Sequence, residues 1–245
     1  HSLKNLPAHC FEGKLIVSAI KGMIPEYKLV IADYVHQHYK VDLQQFAVVS
    51  GPSHAEEVAR ERMTCLTVAS LNPEHIMRVR KLFNCRFIKT DASADIYGIE
   101  YAAVLKNIVA VASGICHGLG YGDNFQAVLI SQALTEIRRF LDVLHPMERD
   151  LFAPAYLGDL LVTCYSQFSR NRTFGTFLGK GYSVKFAQVE MQMVAEGYYA
   201  SKAITFLSEK YKVEMPVASA VYDIIYNNKV AASAIREMTE SFSCS

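Results

Sequence analysis

Net charge is almost missing from this chain: 25 lysines and arginines face 24 aspartates and glutamates, leaving +1 over 245 residues. That balance offers no field for nucleic acid or for an acidic membrane surface, so any basic group that matters must act locally. CxxC spacing is missing as well. The six cysteines stand at 10, 65, 85, 116, 164 and 244. A chain of this size needs no disulfide staples, so reduced thiols in a cytoplasmic protein are expected. The eight histidines form no HxxxH and no His/Cys cluster, so no metal site is expected. No apolar run reaches ~18 residues without a charge and no signal peptide is visible, which argues against an integral membrane segment. The Asn171-Arg172-Thr173 sequon would matter only in a secreted protein. There is no repeat and no low-complexity linker. An initiating methionine is absent too: the chain opens His1-Ser2-Leu3-Lys4-Asn5-Leu6-Pro7, which reads as the tail of a helix entered in the middle and suggests a fragment.

What is present is core-forming material, 51% hydrophobic and 20% charged, in two stretches of different periodicity. Residues 1–94 alternate short β runs with helical patterns. Strands are expected over 14–19, 46–50 and 64–70, with a last short one over 86–89. Helices are expected over 29–39, 54–60 and, with proline in its first turn, 73–83. That rhythm belongs to part of an open α/β sheet, whose ligands sit beyond the carboxyl ends of the strands. Lys21-Gly22 and Gly51-Pro52-Ser53 lie at such ends. From 95 to 245 the strand signal disappears and an all-helical domain is expected. Its helices are 95–117, one capped by Asn124 and stopped by Pro146, then 154–165, 171–178, 183–193, 200–212 and 216–226.

The helix from Asp95 is apolar on nearly every face, the mark of a buried helix. Between Glu100 and His117 its only charge is Lys106. Desolvation lowers a lysine's pKa, which is how a lysine becomes an acid/base catalyst near neutral pH. A buried charge needs a counter-charge. Asp159, alone in the apolar run Gly158-Asp159-Leu160-Leu161-Val162-Thr163, is the natural partner, with Thr163 one turn on along the same face. The plainer alternative is a lysine that snorkels out of a half-buried helix. Ser169-Arg170-Asn171-Arg172 groups hydroxyl, guanidinium and amide as a phosphate requires; otherwise it is a solvated helix start. Lys21-Gly22, Gly51-Pro52-Ser53-His54 and Glu196-Gly197 each have a simple turn or cap reading beside a functional one. Gly118-Leu119-Gly120-Tyr121-Gly122 imitates a dinucleotide fingerprint, but it follows a helix and Asp123 stands where the third glycine belongs, so it reads as a helix stop and loop.

In order, Ile20-Lys21-Gly22, Ser50-Gly51-Pro52-Ser53-His54-Ala55, Leu105-Lys106-Asn107, Gly158 to Cys164, Ser169-Arg170-Asn171-Arg172, Val194-Ala195-Glu196-Gly197-Tyr198 and Glu214-Met215-Pro216 span nearly the whole chain. The set resembles the bacterial-type NAD(P)-dependent glycerol-3-phosphate dehydrogenases. The resemblance implies a Rossmann-type domain, an all-helical domain and an active site between them. It implies hydride exchange between NAD or NADP and the dihydroxyacetone phosphate/sn-glycerol 3-phosphate pair, serving phospholipid synthesis. It makes Lys106 the general acid/base and places Lys21 near substrate and cofactor. Gly51, Ser53, Asp159, Ser169, Arg170 and Asn171 match substrate-binding positions. Ala55, Arg170, Val194 and Glu196 match positions beside the cofactor. A homodimer is plausible for such an enzyme.

The chain departs from the family in lacking the Gly-rich first βα turn that holds a pyrophosphate. If the molecule began at His1, cofactor binding and turnover would be expected to fail. Two other readings are a non-catalytic phosphate-ligand-binding module and a dehydrogenase of the same architecture acting on another 2-hydroxy compound. Retention of Lys21 and Lys106 opposes the first, and the cluster from Ser169 to Arg172 opposes the second.

Overall fold

Short runs over 46–50 and 64–70, buried at every position but Cys65, build the centre of the first unit. The computed structural model describes residues 6–192 and 195–242. The chain divides into two units, His1–Tyr101 and Ala102–Ser245. In the first, strands β1 (Ile16–Ser18), β4 (Phe46–Ser50), β5 (Thr64–Ser70) and β6 (Ile88–Ser93) form a sheet in that order. β1 runs parallel to β4 and β5 parallel to β6, while β4 and β5 are antiparallel. This Rossmann-like unit therefore has a mixed sheet. A separate two-stranded ribbon pairs β2 (Met23–Ile24) with β3 (Leu29–Val30). Helices α1 (Ile31–Tyr39), α2 (Ala55–Ala59) and α3 (Pro73–Phe83) complete the unit. Ala47, Val49, Leu66, Val68, Ile76 and Val79 form its core cluster.

Several boundaries differ from the pattern in the sequence. The helix expected over 29–39 starts only at Ile31, because Leu29 and Val30 pair with the ribbon strand. Its start is set from far along the chain: a carboxyl oxygen of the buried Glu100 accepts the Ala32 N–H at 3.0 Å. The strand expected over 86–89 runs instead over 88–93. Six backbone pairings with β5 outweigh the weak strand propensity of Lys89 and Asp91. Its exposed Lys89 and Asp91 suit an edge strand.

The second unit is helical. α4 (Ile96–Gly118) is followed by α5 (Asp123–Leu144), α6 (Asp159–Tyr165), α7 (Arg170–Gly179), α8 (Val184–Met191), α9 (Glu196–Tyr211), α10 (Pro216–Tyr226) and α11 (Ala231–Glu240). The unit boundary falls inside α4, whose first turn is capped by Asp95 through the Gly98 N–H. By length and composition α4 could cross a membrane, yet its apolar window is wholly buried in protein. α5 is capped at Gly122 and already includes Asn124, so Asn124 is not its cap. The stretch expected as one helix over 154–165 is a π-helical turn, Pro154–Gly158, leading into α6. α9 begins four residues before the expected Ala200, because Asn171 Oδ1 accepts the Gly197 N–H at 2.9 Å and secures its first turn. The expected end of α8 at Met193 lies outside the described residues. α11 carries a buried stripe of Ala234, Ile235 and Met238 that the sequence reading did not pick out.

α4 and α7 meet backbone to backbone. A Cβ on Gly114 would lie 2.0 Å from the Arg172 carbonyl oxygen, and one on Gly175 would lie 2.0 Å from that of Val111. At Gly179 the distance to the Ile115 oxygen would be 2.2 Å, and at Gly118 the distance to the Thr176 oxygen would be 2.5 Å. Gly114/Gly118 and Gly175/Gly179 thus form a seam with no room for a side chain. Gly118, which resembles a mere helix stop, is a packing residue.

Candidate active site

An ammonium in the middle of an apolar helix must be given its hydrogen bonds by neighbours. Lys106 receives them from α6. Its Nζ donates to Asp159 Oδ1 at 2.7 Å and to Thr163 Oγ1 at 2.9 Å. Both side chains of the ion pair are deeply buried, 7% exposed for Lys106 and 1% for Asp159. Thr163 sends its own proton to the Asp159 carbonyl oxygen at 2.6 Å, which turns its lone pairs toward the lysine. The i,i+4 spacing of Asp159 and Thr163 makes one face of α6 a two-point cradle. The π-helical turn immediately before Asp159 is the kind of irregularity that often marks functional positions. Cys164, next along α6, is no competing nucleophile: burial, eased in part by the charges of Lys106 and Arg172, pushes its thiol up to about 12.

The cluster at the start of α7 is built around capping. Buried Ser169 is the N-cap, its Oγ accepting the Arg172 N–H at 3.3 Å. Arg170, the first helical residue, is exposed. Asn171 spends its carbonyl oxygen on Gly197 and keeps its amide hydrogens for other acceptors. That bond also ties the start of α9, where Glu196 is exposed, to the start of α7. A Cβ at Gly197 would lie 2.7 Å from the Asn107 carbonyl oxygen, so α9 in turn sits hard against α4 one residue from Lys106.

A second group assembles in the first unit. Parallel pairing of β1 with β4 sets their carboxyl ends side by side. There Lys21, half-buried, donates from Nζ to the Gly51 carbonyl oxygen at 2.5 Å, and Ser53 Oγ donates to the same oxygen at 3.0 Å. Gly51 has φ +139°, and a Cβ there would stand 2.7 Å from the Cys65 carbonyl oxygen, so the fold itself requires glycine. Ala55 opens α2 and is exposed. Val194, matched to a cofactor position, lies outside the described residues. The described cofactor candidates Lys21, Ala55, Arg170 and Glu196 all stand at or just beyond the ends of strands and helices, and the last three are exposed. Within the first unit, Lys21 beyond a strand end and Ala55 at a helix start are the kind of position through which a nucleotide is bound.

The glycine seam and the capping bond from Asn171 to Gly197 are features the sequence reading missed. Small residues four apart on two helices, Gly114/Gly118 and Gly175/Gly179, are the signal that could have exposed the seam.

A Rossmann-like unit followed by a helical unit that holds one buried, carboxylate-bound lysine is the plan of a two-domain dehydrogenase. Comparison with known proteins gives the same class. The family model for the NAD-dependent glycerol-3-phosphate dehydrogenase N-terminus matches residues 1–76, and that for the C-terminus matches residues 95–236. The NAD(P)+ glycerol-3-phosphate dehydrogenase of Agathobacter rectalis is 37% identical over 227 residues, covering 93% of this chain and 67% of that protein. That of Chlorobium chlorochromatii is 37% identical over 228 residues, covering 93% of this chain and 68% of that protein. The crystal structure of the glycerol-3-phosphate dehydrogenase of Coxiella burnetii superposes with a TM-score of 0.87 at 32% identity, covering 92% of this chain and 68% of that one. The chain belongs to the NAD-dependent glycerol-3-phosphate dehydrogenase family.

Proposed function

We propose that this protein interconverts dihydroxyacetone phosphate and sn-glycerol 3-phosphate with NAD(H) or NADP(H), and that Lys106 is its general acid/base. The observation that carries the assignment is the buried Lys106 ammonium, held by Asp159 and Thr163 at 2.7 and 2.9 Å. A bound nicotinamide supplies or accepts the hydride. In the reducing direction the central carbonyl carbon gains that hydride, the C=O π pair moves onto oxygen, and Lys106 gives that oxygen a proton. A preorganised ammonium stabilises the developing alkoxide before the proton moves. In the oxidising direction Lys106 takes the proton back. Asp159 and Thr163 fix the ammonium's position, so little reorganisation is needed at the moment of reaction.

Ser169, Arg170 and the free amide hydrogens of Asn171 are suited to the substrate phosphate, with Arg170 offering a planar fork. Binding there orients the distant carbon for reaction. Lys21, Gly51 and Ser53 are assigned to substrate, with Lys21 also beside the cofactor. Ala55, Arg170 and Glu196 are assigned to the cofactor. A cytoplasmic setting is supported by the thiols: Cys10, Cys65, Cys85, Cys116 and Cys164 are all unpaired.

The test is oxidation of NADH or NADPH by dihydroxyacetone phosphate, followed by absorbance, for the wild-type protein and Lys106→Ala. The variant should lose about 10²–10⁴-fold in kcat, the usual worth of a positioned acid/base, with substrate affinity largely kept. Unchanged kcat would refute the role of Lys106. A wild-type protein inert toward this substrate but active on another 2-hydroxy compound would refute the substrate.

A further inference from the structure

We propose that the helical unit carries a second anion site, separate from the Lys106 centre, for a small ligand with a phosphate head group. It is a pocket of about 290 Å³ where the end of α4 meets α7. Four donors line it: the Arg172 guanidinium, the Lys180 ammonium, the His117 imidazole and the Gln167 amide. No acidic side chain does. Arg172, Thr176 and Lys180 are four apart and share one face of α7.

Arg172 is the centre of the argument. Its Nε is buried and has no hydrogen-bond partner. Among the described residues its guanidinium makes no hydrogen bond and no ion pair. The residue as a whole is half-buried; a donor nitrogen left unsatisfied away from water is costly and calls for a partner, which an anion in this pocket would supply. Thr173 and Thr176 also line the pocket, but their hydroxyl protons go to the carbonyl oxygens of Ser169 and Arg172 at 3.2 and 3.0 Å. Recognition of an anion therefore falls to the four nitrogen groups. Planar guanidinium, ammonium, imidazole and amide together suit the several oxygens of a phosphate. Phe177, held edge-on against Tyr182 and Phe186, offers a fixed apolar wall for an organic remainder.

The site is distinct from the proposed catalytic centre. His117 is eleven positions beyond Lys106 on α4, about 16 Å along the axis, and Arg172 packs its backbone against Gly114, eight positions and about 12 Å beyond it. The glycine seam holds α7 against the end of α4, so the two backbones that carry these groups are fixed against each other.

Isothermal titration calorimetry with inorganic phosphate tests the proposal in an Arg170→Ala background, which removes the guanidinium assigned to the substrate phosphate. Saturable binding with one phosphate per chain is expected there. Adding Lys180→Glu, at an exposed position, should weaken it tenfold or more, and Arg172→Gln should do the same. Lys180 and His117 also stand at helix carboxyl ends, where the helix dipole alone favours a cation. If that is their whole purpose, the Arg170→Ala protein will not bind phosphate, or Lys180→Glu will leave its affinity unchanged; either result overturns the proposal. Tighter binding of phenyl phosphate than of inorganic phosphate would assign the site to an organic monoester through Phe177. Equal binding would assign it to free phosphate.

Discussion

Glu100 and Lys106 sit on the same helix, less than two turns apart, and both are buried. Their surroundings are opposite. Lys106 faces a full counter-charge in Asp159 and a hydroxyl in Thr163. Glu100 has no counter-charge: it accepts from backbone N–H at the start of α1, the like charge of Asp33 is nearby, and its second oxygen is buried without a hydrogen-bond partner. Burial outweighs those hydrogen bonds and pushes the Glu100 carboxyl up to about 8, so near neutral pH it holds a proton. One position keeps a charge because a counter-charge and a hydroxyl hold it; the other discards its charge and caps a helix. Glu136 repeats the second pattern. It accepts the Val217 and Ala218 N–H groups at the start of α10, and burial pushes it up to about 7.

The largest effect comes from removing what distinguishes the lysine. Asp159→Ala strands a buried ammonium, and a loss of about 3–5 kcal/mol of stability is expected from denaturant unfolding. A loss below 1 kcal/mol would mean that Lys106 reaches water on its own. Next is Glu100→Gln, which keeps an acceptor for Ala32 but cannot ionise. With an ordinary value of 4.5 unfolded and about 8 folded, the wild-type protein is favoured while the group is protonated in both states. It loses that stability as pH rises from 4.5 through 8, where only the unfolded chain has given up the proton. The slope from this group is at most about 1.4 kcal/mol per pH unit. Melting temperatures of the variant should fall less between pH 5 and 8; parallel curves would show that Glu100 is ionised in the fold. Smallest is Lys21→Met. Its partner is a loop carbonyl at a half-buried position, so about 1 kcal/mol of stability is expected to go. A loss as large as that of Asp159→Ala would place Lys21 in the same class as Lys106.

The parts legible in the sequence are those decided locally. β4, β5, α3 and α10 have the ends that periodicity and first-turn prolines indicate. The contact of Lys106 with Asp159 and Thr163 was readable because one charge in an apolar helix demands a partner, and Asp159, alone in its apolar run with Thr163 one turn on, was the natural candidate. What could not be read locally was set by distant groups. Glu100 fixes the start of α1 from 68 residues away. Asn171 starts α9 early, and β5 recruits polar residues into β6. Glycines are ambiguous in a sequence for the same reason: stopping a helix and letting another backbone approach leave the same letter.

The seam between α4 and α7 is a contact with no rotamers. Where side chains interdigitate, a helix pair can creep by small repackings and still hold together. Here carbonyl oxygens of one helix occupy the places where the other's β-carbons would be, so sliding has no intermediate stops. The distance from Lys106 to the groups carried by α7 is therefore set by two backbones in direct contact, not by a choice of rotamers.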